Sequence, residues 1–136
     1  MVFVTRRETF SSAHRLFNPQ LSANENLELF GKCSNERWHG HNYVLHVTVK
    51  GEINPQTGMV INLKTLSAII KNHVISQLDH QNLNEEVPFL QGKITTSENI
   101  AIGIWNVLQP LVNQAGAQMH CVKLAETENS YVEYFG

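Results

Sequence analysis

Cysteine is scarce in this chain: its 136 residues include only Cys33 and Cys121. One disulfide at most can form, so no framework of bridges holds the fold. A hydrophobic core must do that, and a chain of this length can bury one. Long apolar runs are also missing. No segment is long enough to span a bilayer, and Met-Val-Phe-Val-Thr-Arg-Arg at the start lacks the basic-then-apolar order of an export signal. Both thiols are therefore expected to be free, in a cytoplasmic protein. Charge of one sign is missing as well: 10 Lys and Arg stand against 12 Asp and Glu, net −2, with no basic run. Neither a nucleic-acid partner nor a polybasic membrane patch is expected. No GxGxxG occurs, so nothing points to a dinucleotide cofactor. Repeats, low-complexity stretches and linkers are absent too, and residues 1–136 are read as one domain.

Histidine, by contrast, is plentiful, with seven in the chain. His39-Gly40-His41 opens a stretch that alternates like a strand, and residues two apart on a strand share a face. Two neutral imidazoles side by side suit a divalent transition metal such as zinc. Cys33, six residues upstream, is placed to act as a further ligand or as a nucleophile or base beside the metal.

The spacing predicts strands over residues 2–14 and 39–53, separated by a long loop over 15–37. Asn54-Pro55-Gln56-Thr57-Gly58 reads as a turn, with Met59 to Ile61 extending the sheet beyond it. Asn62 is a plausible cap for a helix to about Leu78, with Leu63, Leu66, Ile69, Ile70, Val74 and Leu78 as its apolar stripe. After a polar turn at 79–84, a second helix is expected from Thr95, where Thr95-Thr96-Ser97-Glu98 fits a capping box. A hairpin of about 118–127 and 130–135 ends the chain. The order ββααββ predicts an α+β fold, a four-stranded antiparallel sheet with two helices on one face. Its two open edges favour an oligomer.

Cys33-x5-His39-Gly40-His41-Asn42-Tyr43, with Phe10-Ser11-Ser12-Ala13-His14 upstream, Leu78-Asp79-His80 in the middle and Ala125-Glu126-Thr127 near the end, resembles the 6-pyruvoyl tetrahydropterin synthase family over nearly the whole chain. The resemblance implies the tunnelling fold, in which trimers close a twelve-stranded barrel and pair into a homohexamer. It also implies a zinc lyase acting on 7,8-dihydroneopterin triphosphate. A related group, the 6-carboxytetrahydropterin synthases of queuosine biosynthesis, uses the same substrate. In that group three residues typically intervene between the cysteine and the HGH, whereas five intervene here, which favours the pyruvoyl type. A non-catalytic pterin or purine binder with structural zinc is a third reading, because a fold does not fix a function.

By that resemblance His14, His39 and His41 are zinc ligands, leaving the open fourth position of a catalytic site. His14 on its own reads better as a satisfied histidine at a strand end. Cys33 matches the catalytic cysteine; a structural fourth ligand is the alternative. Asp79 and His80 match the pair that relays protons with it, although a helix end where His80 complements the dipole explains them as well. Glu126 matches the carboxylate that holds the pterin ring, with Thr127, Thr96 and Ser97 adding hydrogen bonds. Glu98 is claimed both by the capping box and by the pterin pocket. His46, His73, His120 and Trp38 have no matching role.

Overall fold

The computed structural model describes all 136 residues. Strand β1 (Val2–His14) pairs antiparallel with β2 (His39–Gly51), in a register that sets His14 opposite His39, Ser12 opposite His41 and Phe10 opposite Tyr43. Even residues of β1 from Phe10 onward and odd residues of β2 therefore share one face, and that face is the buried one. Helices α2 (Leu63–Ile70) and α4 (Ser97–Gln114) cover it. Leu66, Ile70, Val74 and Leu78 from the first helical segment, and Ile100, Ile104, Leu108 and Val112 from α4, bury against Leu45, Val47, Val122 and Leu124 of the sheet. The 3.6-residue period of the helices meets the two-residue period of the strands, which closes one apolar core.

The first helix is longer than α2 alone. A single π turn over Lys71–Ile75 and a short α3 (Ser76–Leu78) carry it to Leu78, in agreement with the stripe read from the sequence. Asn62 caps it, its side-chain oxygen accepting from Lys64 N at 2.8 Å. Strand β4 (Gln118–Thr127) follows α4 and β5 (Ser130–Tyr134) returns beside it, as the hairpin pattern predicts.

Four expectations need correction. The sheet has five strands, in the order β3-β1-β2-β4-β5, because β3 (Gln81–Asn82) pairs parallel with Ser12 and Ala13 of β1. Two residues are too few to leave a periodic signal, and their parallel pairing makes the sheet mixed. Met59–Ile61 forms no strand; Ile61 simply turns into the core. The supposed loop 15–37 contains α1 (Ala23–Phe30) and a 3₁₀ turn, Gly31–Ser34. Its signal was a capping box, not a stripe: Ser22 Oγ accepts from Glu25 N and Ser22 N donates to Glu25 Oε1, both at 3.1 Å. Only Asn26 of α1 is buried, while Leu27 and Leu29 are exposed, so no apolar period marks it. Finally, α4 is capped by Thr96, which accepts from Asn99 N, and not by a box between Thr95 and Glu98.

Candidate active site

β1 ends and β2 begins at the same edge of the core, so the register that pairs His14 with His39 also brings His41 beside them. The three imidazole centroids lie 4.6 to 5.1 Å apart. Glu126, near the end of β4, completes a group whose four ligand atoms all lie within 4.8 Å of one another. That group is able to hold a metal ion.

Protons decide how it does so. His14 is buried, and its Nδ1 lies 2.9 Å from Thr95 O. A carbonyl only accepts, so Nδ1 carries a proton and donates it to Thr95 O, which leaves Nε2 to face the cluster. Nε2 in turn sits 3.3 Å from Glu126 Oε1. His41 Nε2 is 2.6 Å from the same oxygen, in a geometry that lacks the angle of a hydrogen bond. Burial, foremost, and the neighbouring imidazoles push His39 down from its ordinary pKa, and burial does the same to His41, so both rings are neutral. Both ring nitrogens of His39 and Nε2 of His41 are buried without hydrogen-bond partners. Buried ring nitrogens converging on one point are costly unless a cation satisfies their lone pairs. The donor set, three imidazoles with a carboxylate beside them, fits a first-row metal, and the Thr95 carbonyl behind His14 is the usual outer partner of a ligating histidine.

Glu126 is pinned from its other side, where Oε2 accepts from Ser97 Oγ at 3.0 Å. Contact with His14, then the Ser97 hydroxyl, hold its carboxyl down at about 2 against the opposing effect of burial, so it is anionic at neutral pH. Tyr43 lies beneath, fully buried, its hydroxyl 3.5 Å from the His14 ring and kept protonated by burial. Above the cluster opens a cavity of about 450 Å³, lined by His14, Thr96, Ser97, Glu98, Glu126 and Tyr131 among others. Thr96 caps α4, so the helix start turns Ser97 and Glu98 toward this space.

Not every expected residue converges there. Thr127 faces a different hollow and closes the hairpin turn, accepting from Asn129 N. Cys33 lies in the 3₁₀ turn, half-buried, its carbonyl accepting from Leu16 N at 2.7 Å, and its sulfur is not one of the convergent atoms. Within one chain the closed site of one cysteine and three histidines is not formed. Asp79 and His80 do touch: Asp79 Oδ2 is 3.0 Å from His80 Nδ1, and Oδ1 accepts from Ser11 N at 2.9 Å. The Ser11 N–H, helped by His80, holds the Asp79 carboxyl below its usual range. His80 takes φ of +59°, a backbone cost that a donated bond from its N–H to Ser11 O offsets. Its ring is 83 % exposed and lines a hollow with Ser11, Ala13, Gly40 and Asn42, on the sheet face turned away from the helices. No hydrogen bond joins the pair to Cys33, and Cys33 does not line the hollow beside His80.

Residues 3–136 match the model of the family described as 6-pyruvoyl tetrahydropterin synthase. The chain belongs to that family. A Dictyostelium discoideum 6-pyruvoyl tetrahydrobiopterin synthase is 47% identical over 99% of this chain and 96% of its own. The Homo sapiens protein of that name is 47% identical over 98% of this chain and 90% of its own. The solved structure of Caenorhabditis elegans 6-pyruvoyl tetrahydropterin synthase superposes with a TM-score of 0.93 at 38% identity, over 99% of this chain and 95% of that one. A 6-carboxy-5,6,7,8-tetrahydropterin synthase of Rickettsia bellii is more distant, 27% identical over 98% of this chain and 99% of its own. The α+β tunnelling fold expected from the motifs is the fold observed, with the fifth strand added.

Proposed function

We propose that this chain is a zinc-dependent 6-pyruvoyl tetrahydropterin synthase, a carbon–oxygen lyase that converts 7,8-dihydroneopterin triphosphate to 6-pyruvoyl tetrahydropterin and triphosphate. One observation carries the reading. Three imidazoles and an anionic carboxylate converge, and two of the four, His14 and Glu126, line a cavity large enough for a bicyclic ring. The relatives at 47% identity, and the solved structure at 38%, carry the pyruvoyl name, which favours that product over a carboxylate.

His14, His39 and His41 would hold zinc, which supplies a Lewis acid for the C–H and O–H protons of the substrate's side chain. The protein's own groups do the rest. Glu126, held by Ser97, accepts two donors from the amino-pyrimidinone edge and so fixes the ring. Ser97, Thr96 and Glu98 line the same cavity and complete its polar wall. The Cys33 thiolate removes and returns protons, while Asp79 fixes the tautomer of His80 as its acid–base partner. Electrons pass from side chain to ring as triphosphate leaves, so the reaction balances without nicotinamide or flavin.

Because Cys33 and the Asp79–His80 pair do not meet within one chain, the reading requires a second chain to bring them together. The edges support this. Only Ser12 and Ala13 of β1 pair outward with β3, and Ser11 bonds outward to Asp79 and His80, leaving Val2 to Phe10 as an open edge, while β5 is open on the opposite side. We place the chain in a homohexamer of two trimers. Mass analysis of the products formed from dihydroneopterin triphosphate tests the whole reading. A carboxylated tetrahydropterin with acetaldehyde would assign the chain to the other branch, and an unchanged substrate would leave only a binder.

A further inference from the structure

The sheet face turned away from the helices carries a row of charge that the site above does not use. Arg7 of β1 sits directly opposite His46 of β2, and His46 directly opposite Lys123 of β4. All three project from the same face, because each is one residue out of phase with the buried positions of its strand. Like charges set opposite one another weaken a sheet. Neither Arg7 nor Lys123 has a carboxylate within ion-pair distance; even Glu133, paired with Lys123 across β5, makes no such contact. Lys123 Nζ instead rests 3.7 Å from the centre of the Tyr131 ring. His46 Nδ1 is buried with no hydrogen-bond partner at all. Burial, then Lys123 and Arg7, depress the His46 pKa, so the row repels the charge of its own middle member. In a chain of net charge −2, this is a basic stripe without ion pairs.

We propose that Arg7, His46 and Lys123 form a binding site for a linear polyphosphate anion. Two strand spacings separate the outer members by roughly 9–10 Å, which suits linked phosphates and exceeds what one orthophosphate can bridge. Arg7 supplies a forked contact, Lys123 a point charge, and His46 an N–H between them. Thr5 and Thr48, hydroxyl to hydroxyl at 2.8 Å, lie alongside the row. A hollow of about 830 Å³ runs from Arg7 and Lys123 past Thr9, Ser11 and Asn42 to Glu126 and Thr127. Its carboxylates, Glu126 and Glu128, repel an anion and leave the Arg7–Lys123 end as its seat. Arg7, His46 and Lys123 lie outside the metal group, although the hollow reaches Glu126, and the site holds whether or not the proposed reaction does; triphosphate is the anion that reaction would release.

The test uses the full chain and sodium triphosphate at low ionic strength, followed by calorimetry and by thermal midpoint. Orthophosphate and a nucleoside triphosphate are run beside it. Saturable binding is expected at one site, with orthophosphate at least about tenfold weaker. The nucleoside triphosphate binding as tightly as free triphosphate would show that the phosphates alone are recognised. Tighter binding of the nucleotide would instead assign the site to a base-bearing ligand and overturn the class proposed. Arg7→Ala and Lys123→Met should each weaken triphosphate about tenfold or more. Without anion, each should melt no earlier than wild type, because each relieves repulsion. Triphosphate should raise the midpoint of wild type and not of the variants. Triphosphate that does not saturate, orthophosphate that binds as well, or variants that bind like wild type would each overturn the site.

Discussion

Replacing Glu126 by Gln separates two roles that the structure leaves on one side chain. Its Oε2 accepts from Ser97, and its Oε1 lies 2.6 and 3.3 Å from the His41 and His14 nitrogens. Glutamine keeps the shape, removes the charge and turns one acceptor into a donor. A pterin edge offering two donors would then meet one acceptor and one donor, leaving a buried contact unpaired. That costs on the order of 1–3 kcal/mol, or roughly 5- to 160-fold in affinity. Fluorescence titration with a dihydropterin reads that loss, and elemental analysis of the same sample reads the metal. The expected result is weakened pterin with metal retained, because three imidazoles remain. Unchanged pterin affinity would refute the anchor. Metal lost with pterin binding intact would make Glu126 a ligand and not an anchor.

The other variants divide between metal, chemistry and scaffold. His39→Ala removes one of the three imidazoles, and zinc content and turnover should fall together; zinc at one per chain in that variant would exclude His39 as a ligand. Cys33→Ala should keep metal and melting temperature yet lose turnover, whereas loss of metal would restore the closed four-ligand site. Ser22→Ala breaks the capping box of α1 and should cost about 1 kcal/mol of stability, seen as a lower denaturation midpoint. Since α1 leads straight into the turn that carries Cys33, an unaltered midpoint would mean the box holds nothing in place.

What the sequence announced and what it hid divide along physical lines. Elements with a long apolar period were legible: β1, β2, the helix to Leu78, α4 and the final hairpin each bury one face, and burial is what writes a period into a chain. α1 buries one asparagine and β3 is two residues long, so neither had a period to show. The pairing of His39 with His41 followed from strand alternation, and His14 required the register of β1 on β2, which no local pattern contains. Thr95 as the carbonyl behind His14, and Tyr43 beneath the rings, were missed for the same reason: a backbone acceptor has no residue signature, and a buried tyrosine reads as core. Ser22-x-x-Glu25 was in plain view and marked the start of α1. At 95–98 the same motif misled by one residue, because Thr96 competes with Thr95 for the cap.

The separation of Cys33 from Asp79–His80 yields the sharpest test of assembly. Cys33→Ala and His80→Ala, made separately, should each give nearly inactive oligomers, since every site lacks one member. Unfolding both, mixing equal amounts and refolding scrambles the chains. If a site takes Cys33 from one chain and His80 from its neighbour, each is intact with probability one half. About a quarter of wild-type activity should then return, whatever the number of sites in the ring. If both came from one chain, every chain in the mixture would still carry one defect, and mixing would restore nothing. The two outcomes differ by far more than the error of a refolding yield, which a wild-type sample carried through the same cycle corrects. His80 faces solvent on the helix-free side of the sheet while Cys33 sits in a turn beyond the end of β1, so the expected outcome is recovery. A mixture as inactive as its parents would mean that the chain must bend to bring the two together by itself, and the shared site would have to be abandoned.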